Sequence, residues 1–144
     1  MKVVFDTSVI VEIDRKNEDA IKIIKKLIDN GDEILISTIT VSEILVGPHF
    51  MKNFKEASIQ AKRILSQFLW IDFNGIIAEK TAQYIAFLIS ENRVAEYQDA
   101  VIAATCKVKG AEYLITLNKK HFDIFPDLKN NVYTIEEFKK ILKK

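Results

Sequence analysis

The sequence contains few of the residues that cross-link a polypeptide or interrupt its regular structure. In 144 residues it has one cysteine, Cys106, four glycines and two prolines. A lone cysteine cannot form an internal disulfide, and this one stands in the apolar run AVIAATC, so we expect a buried thiol and a reducing compartment. Because no stretch resembles a linker and no repeat is visible, we expect a single domain over residues 1–144.

A surplus of charge is also missing, because 21 Lys and Arg residues stand against 20 Asp and Glu residues, for a formal net charge of +1. A basic surface for nucleic acid would therefore have to be local. The early apolar run is interrupted by Asp6, Glu12 and Asp14, so it is predicted to be neither a signal peptide nor a membrane span. We expect an intracellular, cytoplasmic protein with no membrane segment.

Short apolar runs alternate with helical patterns along the chain. Strands are predicted at residues 2–5, 33–37, 69–73 and 112–116, with a candidate edge strand at 131–135. Helices are predicted at residues 8–14, 18–29, 40–46, 54–69, 76–92 and 96–110, and from Thr134 onward. This order is typical of an α/β fold in which a parallel β-sheet is flanked by helices on both faces, an α/β/α sandwich.

Some apolar faces can be assigned from periodicity. Helix 18–29 aligns Ile21, Ile24, Leu27 and Ile28, and helix 76–92 is predicted to turn Ala78, Ala82, Ile85, Ala86 and Ile89 inward. Three large apolar residues near a proline, Phe50, Met51 and Phe54, are expected in the core, with a partner or dimer surface as the alternative.

Three carboxylates stand where a parallel sheet places chemistry, beyond the carboxyl ends of its strands. Asp6 ends the first strand, and Glu43 and Asp99 lie at the starts of two predicted helices. Each also has a structural explanation, since Asp6 is a good N-cap, Thr40-x-x-Glu43 has the form of a capping box, and Asp99 suits the helix dipole. Thr134-x-x-Glu137 has the same capping-box form in a setting that indicates structure alone.

Apolar neighbours and the lack of adjacent cations favour a functional interpretation of these acids. Residues 100–106 are apolar except for Thr105, and the cation nearest to Asp99 in sequence is Arg93. Three carboxylates gathered without a cation would repel one another, and a divalent metal would resolve that repulsion. Oxygen ligands favour Mg²⁺ or Mn²⁺, and a carboxylate-held metal is suited to the hydrolysis of phosphodiesters.

The three blocks VVFDTSVIVE, ISTITVSEILVG and YQDAVIAATCKVKGAEYLITLNKKHF resemble, in this order, the PIN-domain family, and especially its VapC-like ribonuclease toxins. The resemblance covers nearly the whole chain and implies an endoribonuclease that uses Mg²⁺ or Mn²⁺, forms a homodimer and is inhibited by a cognate antitoxin. It maps Asp6, Glu43 and Asp99 onto the metal-binding acids. It maps Thr7, Ser8, Thr116 and Asn118 onto small polar positions around them.

The chain departs from the family pattern at His121, where many members carry a fourth acid. A histidine at this place is able to bind a metal, contact a phosphate, cover the site or simply lie at the surface. Loss of an acid favours one metal over two, and Glu96 is a candidate substitute carboxylate. Lys119 and Lys120, beside Asn118, are candidates for contact with RNA phosphates, although solvated lysines are the simpler interpretation.

Two other functions fit parts of the pattern. The missing fourth acid is compatible with a catalytically silent PIN-like module that binds RNA or protein. A phosphoacceptor domain has a similar size and fold class, but its chemistry needs adjacent acids after the first strand, and FDTS lacks the second acid.

Overall fold

The computed structural model describes residues 1–143 and consists of five strands and eight helices. The strands are β1 (Lys2–Phe5), β2 (Glu33–Ser37), β3 (Leu69–Ile71), β4 (Tyr113–Ile115) and β5 (Val132–Tyr133). The helices are α1 (Thr7–Asp14), α2 (Glu18–Asp29), α3 (Thr38–Val46), α4 (Phe54–Leu65), α5 (Gly75–Ser90), α6 (Tyr97–Val108), α7 (Lys119–Phe122) and α8 (Ile135–Leu142). Single 3-10 turns lie at Gly47–Phe50 and Lys129–Asn131.

All strands of the sheet are parallel, in the order β3-β2-β1-β4-β5. Strand β1 is central because it is apolar on both faces: Val3, Val4 and Phe5 are completely buried. Val3 and Phe5 pack into one core with helices that include α1, α2 and α8. Val4 points into the other core, against α5, α6 and the segment around Phe122. The predicted α/β/α sandwich is confirmed, and β5 lies at one edge of the sheet, as expected.

The lone thiol is placed as predicted. Cys106 is free and completely buried in α6. That helix ends in the left-handed turn expected of Gly110, at φ +65°, and the N–H of Ala111 donates back to the carbonyl of Cys106 at 3.0 Å. No helix among residues 1–143 has the length and apolar character needed to cross a membrane.

The predicted inward face of α5 is wrong at three of its five positions, since only Ala78 and Ile85 are half-buried. Ala82, Ala86 and Ile89 face solvent, and the buried residues are Ile77, Thr81, Tyr84 and Leu88. Two of these are polar, but each has a partner for its polar atom. The Thr81 hydroxyl donates to the carbonyl of Ile77 at 2.7 Å, and the Tyr84 hydroxyl donates to Asp127 at 2.5 Å. Once these hydrogen bonds form, the larger side chains bury more apolar surface than the alanines would.

Two further apolar assignments are corrected. Ile21 and Ile28 are 43% and 48% exposed, and the buried face of α2 consists of Ala20, Ile23, Ile24 and Leu27. Phe50, Met51 and Phe54 are also exposed, so they do not belong to the core. They lie in and after the 3-10 turn Gly47–Phe50, which contains Pro48 and follows α3 directly.

Candidate functional site

The predicted acids lie around the carboxyl edge of the sheet. Asp6 follows β1, and its backbone N–H donates to the carbonyl of Ile115 at the end of β4, at 3.0 Å. Glu43 is on α3, the helix that follows β2, and Asp99 is in the first turn of α6. The charge of Asp6 acts on both of the other carboxyl groups, so all three lie in one region, as predicted.

Asp6 is held by hydroxyl groups and does not cap its helix. The residue occupies the N-cap position of α1 with extended backbone, yet its side chain makes no capping hydrogen bond. Instead Oδ2 accepts from the Ser8 hydroxyl at 2.6 Å and from the Thr116 hydroxyl at 2.8 Å. The residue as a whole is only 5% exposed. Among residues 1–143 no hydrogen bond reaches Oδ1, so that oxygen is available to another partner.

Backbone amides orient these two hydroxyl groups. The N–H of Leu117 donates to Ser8 Oγ at 3.0 Å, and the N–H of Asn118 donates to Thr116 Oγ1 at 2.9 Å. Because each hydroxyl oxygen already accepts from the backbone, its proton is free to point at Asp6. The loop after β4 therefore sets the position of the carboxylate that follows β1.

Glu43 is held by Thr7 and is not part of a capping box. Helix α3 begins at Thr38, and its cap is Ser37, whose Oγ accepts from the N–H of Ile39 at 3.2 Å. The Thr7 hydroxyl lies 3.0 Å from Thr40 Oγ1 and donates to Glu43 Oε1 at 2.8 Å. The capping-box interpretation of Thr40 and Glu43 is therefore wrong, because both lie inside the helix and face α1.

Asp99 contacts His121, the residue that stands in place of the fourth acid. His121 Nδ1 lies 3.2 Å from Asp99 Oδ2, and 16% of the Asp99 side chain is exposed. Burial raises the pKa of Asp99 to about 6, assisted by the negative charges of Asp6 and Glu96 and opposed by His121. A carboxyl group with this pKa exchanges its proton near neutral pH unless a cation compensates it.

The ionised form of Glu43 is disfavoured for the same reasons as that of Asp99. Burial raises its pKa, and the charges of Asp6 and Glu96 act in the same direction, while the hydrogen bond from Thr7 opposes them. Within residues 1–143 no lysine or arginine nitrogen lies within 4.0 Å of any of the three acids. The site is thus a group of carboxylates with unbalanced negative charge, and His121 is its one positively ionisable contact in the described chain.

The donor set fits a hard divalent cation that keeps some of its water. The available ligands are carboxylate and hydroxyl oxygens, which suit Mg²⁺ and Mn²⁺. In the part of the chain that the structure describes, no three side chains of Asp, Glu, His or Cys are close enough to ligate one ion directly. An ion such as Mg²⁺, which usually keeps several waters, would be held by these acids partly through its waters.

The remaining predicted residues divide into two groups. Lys119 Nζ is bound to Glu137 Oε2 at 2.8 Å, so its charge is already matched. Glu96, Lys120 and His121 line a groove that reaches Asp99. Arg93 lines the same groove, and sequence reasoning missed it because it noted only the separation of Arg93 from Asp99 along the chain. The turn after α5 contains the left-handed residue Asn92 at φ 56°, and this turn places Arg93 in the groove.

The fold and the site define a class: α/β/α domains that gather carboxylates at the carboxyl edge of a parallel sheet. The family model of the PIN domain matches residues 3–127. The chain belongs to the PIN-domain family.

Relatives agree with this assignment over most of their length. Ribonuclease VapC19 of Mycobacterium tuberculosis is 32% identical over 123 residues, which are 85% of this chain and 94% of the relative. The structure of VapBC2 from Rickettsia felis bound to a promoter DNA fragment matches with a TM-score of 0.83 at 22% identity, over 93% of this chain and 98% of that one. A toxin–antitoxin complex from Klebsiella pneumoniae matches with a TM-score of 0.69 at 25% identity, over 92% and 97%.

Proposed function

We propose that this protein is an endoribonuclease that hydrolyses RNA phosphodiester bonds with Mg²⁺ or Mn²⁺ held by Asp6, Glu43 and Asp99, and that it is the toxin of a toxin–antitoxin pair. Its likeness to a protein named a ribonuclease supports the activity. Its likeness to chains of VapBC and other toxin–antitoxin complexes supports an antitoxin partner. A homodimer and a location in the cytoplasm, where RNA is available, complete the proposal.

The proposal rests mainly on one observation: three carboxylates from distant parts of the chain lie in one region, where their negative charges interact. Asp6 acts electrostatically on Glu43 and on Asp99, and both of those groups have a raised pKa. A fold does not gather uncompensated acids for stability, because each one costs free energy when it ionises. Their convergence is explained by a cation that binds during function.

Each residue of the site has a distinct task. Asp6, Glu43 and Asp99 would hold the divalent ion, which would neutralise charge at the phosphate and lower the pKa of a water molecule. Ser8 and Thr116 fix the Asp6 carboxylate through Oδ2, and Thr7 fixes Glu43 through Oε1. These hydroxyl groups orient the ligands before any substrate arrives, so little reorganisation is needed during the reaction.

The test is Asp6→Asn, with Asp29→Asn at the exposed end of α2 as a control of equal charge change. Asn has nearly the same shape, so we expect the fold to persist by circular dichroism while the cleavage of labelled RNA in Mg²⁺ or Mn²⁺ is lost. The control is expected to cut at the wild-type rate. Cleavage by Asp6→Asn at the wild-type rate, with the metal still required, would show that the assignment is wrong.

One observation favours a second candidate, a silent PIN-like module that binds RNA or protein. His121 contacts Asp99 and, in its protonated form, compensates part of the negative charge that a metal would otherwise neutralise. Titration calorimetry with Mn²⁺ separates the two candidates: heat that disappears in Asp6→Asn supports the nuclease, and no heat at millimolar Mn²⁺ supports the silent module.

A further inference from the structure

Two grooves of opposite character flank the acids. The first, which we call the acidic groove, has a volume of about 610 Å³, lies between α1, α3 and α4, and carries Asp14, Glu43 and Glu56 without a lysine, arginine or histidine. The second, which we call the cationic groove, has a volume of about 380 Å³ and carries Arg93, Lys120 and His121 beside Glu96 and Asp99. Of the two grooves, only the cationic groove has arginine, lysine or histidine in its lining.

The cations of the second groove are not used by the fold. Arg93 and Lys120 are both exposed, and no carboxylate among residues 1–143 lies within 4.0 Å of either one. The neighbouring Lys119 behaves differently, because it is paired with Glu137 at 2.8 Å. Two adjacent lysines therefore have different roles, one structural and one available to a ligand.

The two free cations lie on backbone segments that flank the site in sequence, and both line the groove that contains Asp99. The N–H of Arg93 donates to the carbonyl of Leu88 at 2.7 Å, which closes the end of α5 and fixes the turn. Lys120 is in the first turn of α7, directly after the loop of Thr116 that orients Asp6. Both cations are thus attached to segments whose positions are tied to the site.

We propose that the cationic groove binds the single-stranded RNA on one side of the phosphate that is cut, with Arg93 and Lys120 against backbone phosphates, and that the acidic groove carries no RNA. This inference rests on the proposed function. Away from the metal-holding Glu43, a polyanion is repelled by Asp14 and Glu56 of the acidic groove and attracted by the unpaired cations of the other groove.

The other walls of the cationic groove suit a nucleotide. Val94, which is 92% exposed, and Ile124 supply apolar surface. The ring of His121, whose side chain is 54% exposed, provides a flat face of the kind on which unpaired bases stack. Cations for phosphates beside apolar and aromatic surface for bases are the usual elements of single-strand binding.

The test measures RNA binding separately from cleavage. A fluorescein-labelled 12-nucleotide RNA is titrated by anisotropy with full-length Asp6→Asn protein in EDTA, between 50 and 200 mM NaCl. Adding Arg93→Gln and Lys120→Gln together is expected to weaken binding about tenfold at low salt and to make the slope of log K against log salt shallower by about 1.4, which corresponds to two phosphate contacts.

The matched control removes two charges at the far end of the molecule. Lys129 precedes β5, and Lys109 directly follows α6, which begins at the site and runs away from it. The pair Lys109→Gln and Lys129→Gln has the same net charge as the test variant and is expected to bind RNA within twofold of the parent.

The outcomes separate this inference from the proposed function. If the test variant binds within twofold of the parent while the wild-type chain still cuts RNA in Mg²⁺ or Mn²⁺, the groove assignment is wrong and the nuclease assignment stands. If the wild-type chain cuts no RNA, the proposed function fails instead. Loss of binding to labelled poly-glutamate with RNA binding unchanged would assign the groove to an acidic protein and overturn the inference.

Discussion

The same four-residue pattern occurs twice in this chain and does two different things. At Thr134-x-x-Glu137 the Thr134 hydroxyl accepts from the N–H of Glu137 at 3.2 Å, and α8 begins at the next residue, Ile135. At Thr40-x-x-Glu43 the helix has already begun at Thr38, and Thr40 is buried beside Thr7. One pattern is a helix cap, and the other is part of the acidic site.

The two glutamates also differ in the sign of their pKa shifts. A hydrogen bond from Lys119 lowers the pKa of Glu137, and Thr134 adds to the effect. Burial raises the pKa of Glu43, and the charge of Asp6 adds to it. The ionised form of Glu137 therefore stabilises the fold, whereas the ionised form of Glu43 destabilises it. A glutamate whose ionised form is disfavoured in this way is a candidate for a functional role and not for a stabilising one.

The largest difference between the two glutamates is expected in catalysis. Glu43→Gln should reduce the cleavage of RNA at least about 100-fold, since the loss of even an indirect metal contact commonly has an effect of that size. Glu137→Gln removes the same charge from the cap, and its rate should stay within about twofold of wild type. Initial rates with labelled RNA at saturating Mg²⁺ or Mn²⁺ measure both. Equal losses of activity in the two variants would mean that Glu43 acts only through folding.

The next effect concerns stability without metal and tests whether acids of the site oppose folding. The folded pKa of Asp99 is about 6, above the unfolded value, so the folded state binds the extra proton between those pKa values and becomes more stable as pH falls from 7 to 5. Asp99→Asn should remove this dependence and raise the free energy of unfolding in EDTA at pH 7 by about 2 kcal/mol.

Urea denaturation at pH 5 and pH 7 checks this expectation. Mn²⁺ should raise the unfolding midpoint of the wild-type chain and leave that of Asp99→Asn unchanged, because only the former would bind the ion tightly. A variant less stable than wild type at pH 7 in EDTA would show that the His121 contact outweighs the repulsion at Asp99.

Much of the fold is predictable from sequence because burial leaves strong patterns. The run Val3–Phe5 is apolar on both faces, so a central strand covered on both sides accommodates it, and β1 is that strand. The inward face of α5 was not predictable in the same way. Thr81 and Tyr84 are polar by composition, and only the structure reveals that Ile77 and Asp127 accept their hydrogen bonds.

The candidate site also has features that the sequence predicts and features that it does not. Asp6, Glu43 and Asp99 are detectable because each carboxylate stands among apolar residues without a cation nearby in sequence. The start of α3 is ambiguous, since Ser37, Thr38 and Thr40 are all residue types that cap helices.

Contacts that depend on irregular segments leave no periodic signal. Neither the approach of His121 to Asp99 nor that of Arg93 to the cationic groove could be predicted, because a short helix and a turn place them.

The smallest expected effect compares the two threonines themselves. Thr134→Val removes the hydroxyl that accepts from the Glu137 N–H, so it should lower the free energy of unfolding by about 1 kcal/mol. Ser37→Ala should have a similar effect on α3, because Ser37 is its cap. Thr40→Val should cost less, since the Thr7 hydroxyl keeps its bond to Glu43 and no helix end loses a partner. Urea denaturation at pH 7 measures all three variants. If Thr40→Val lowered the free energy of unfolding as much as Thr134→Val does, Thr40 would contribute to stability as a helix cap does.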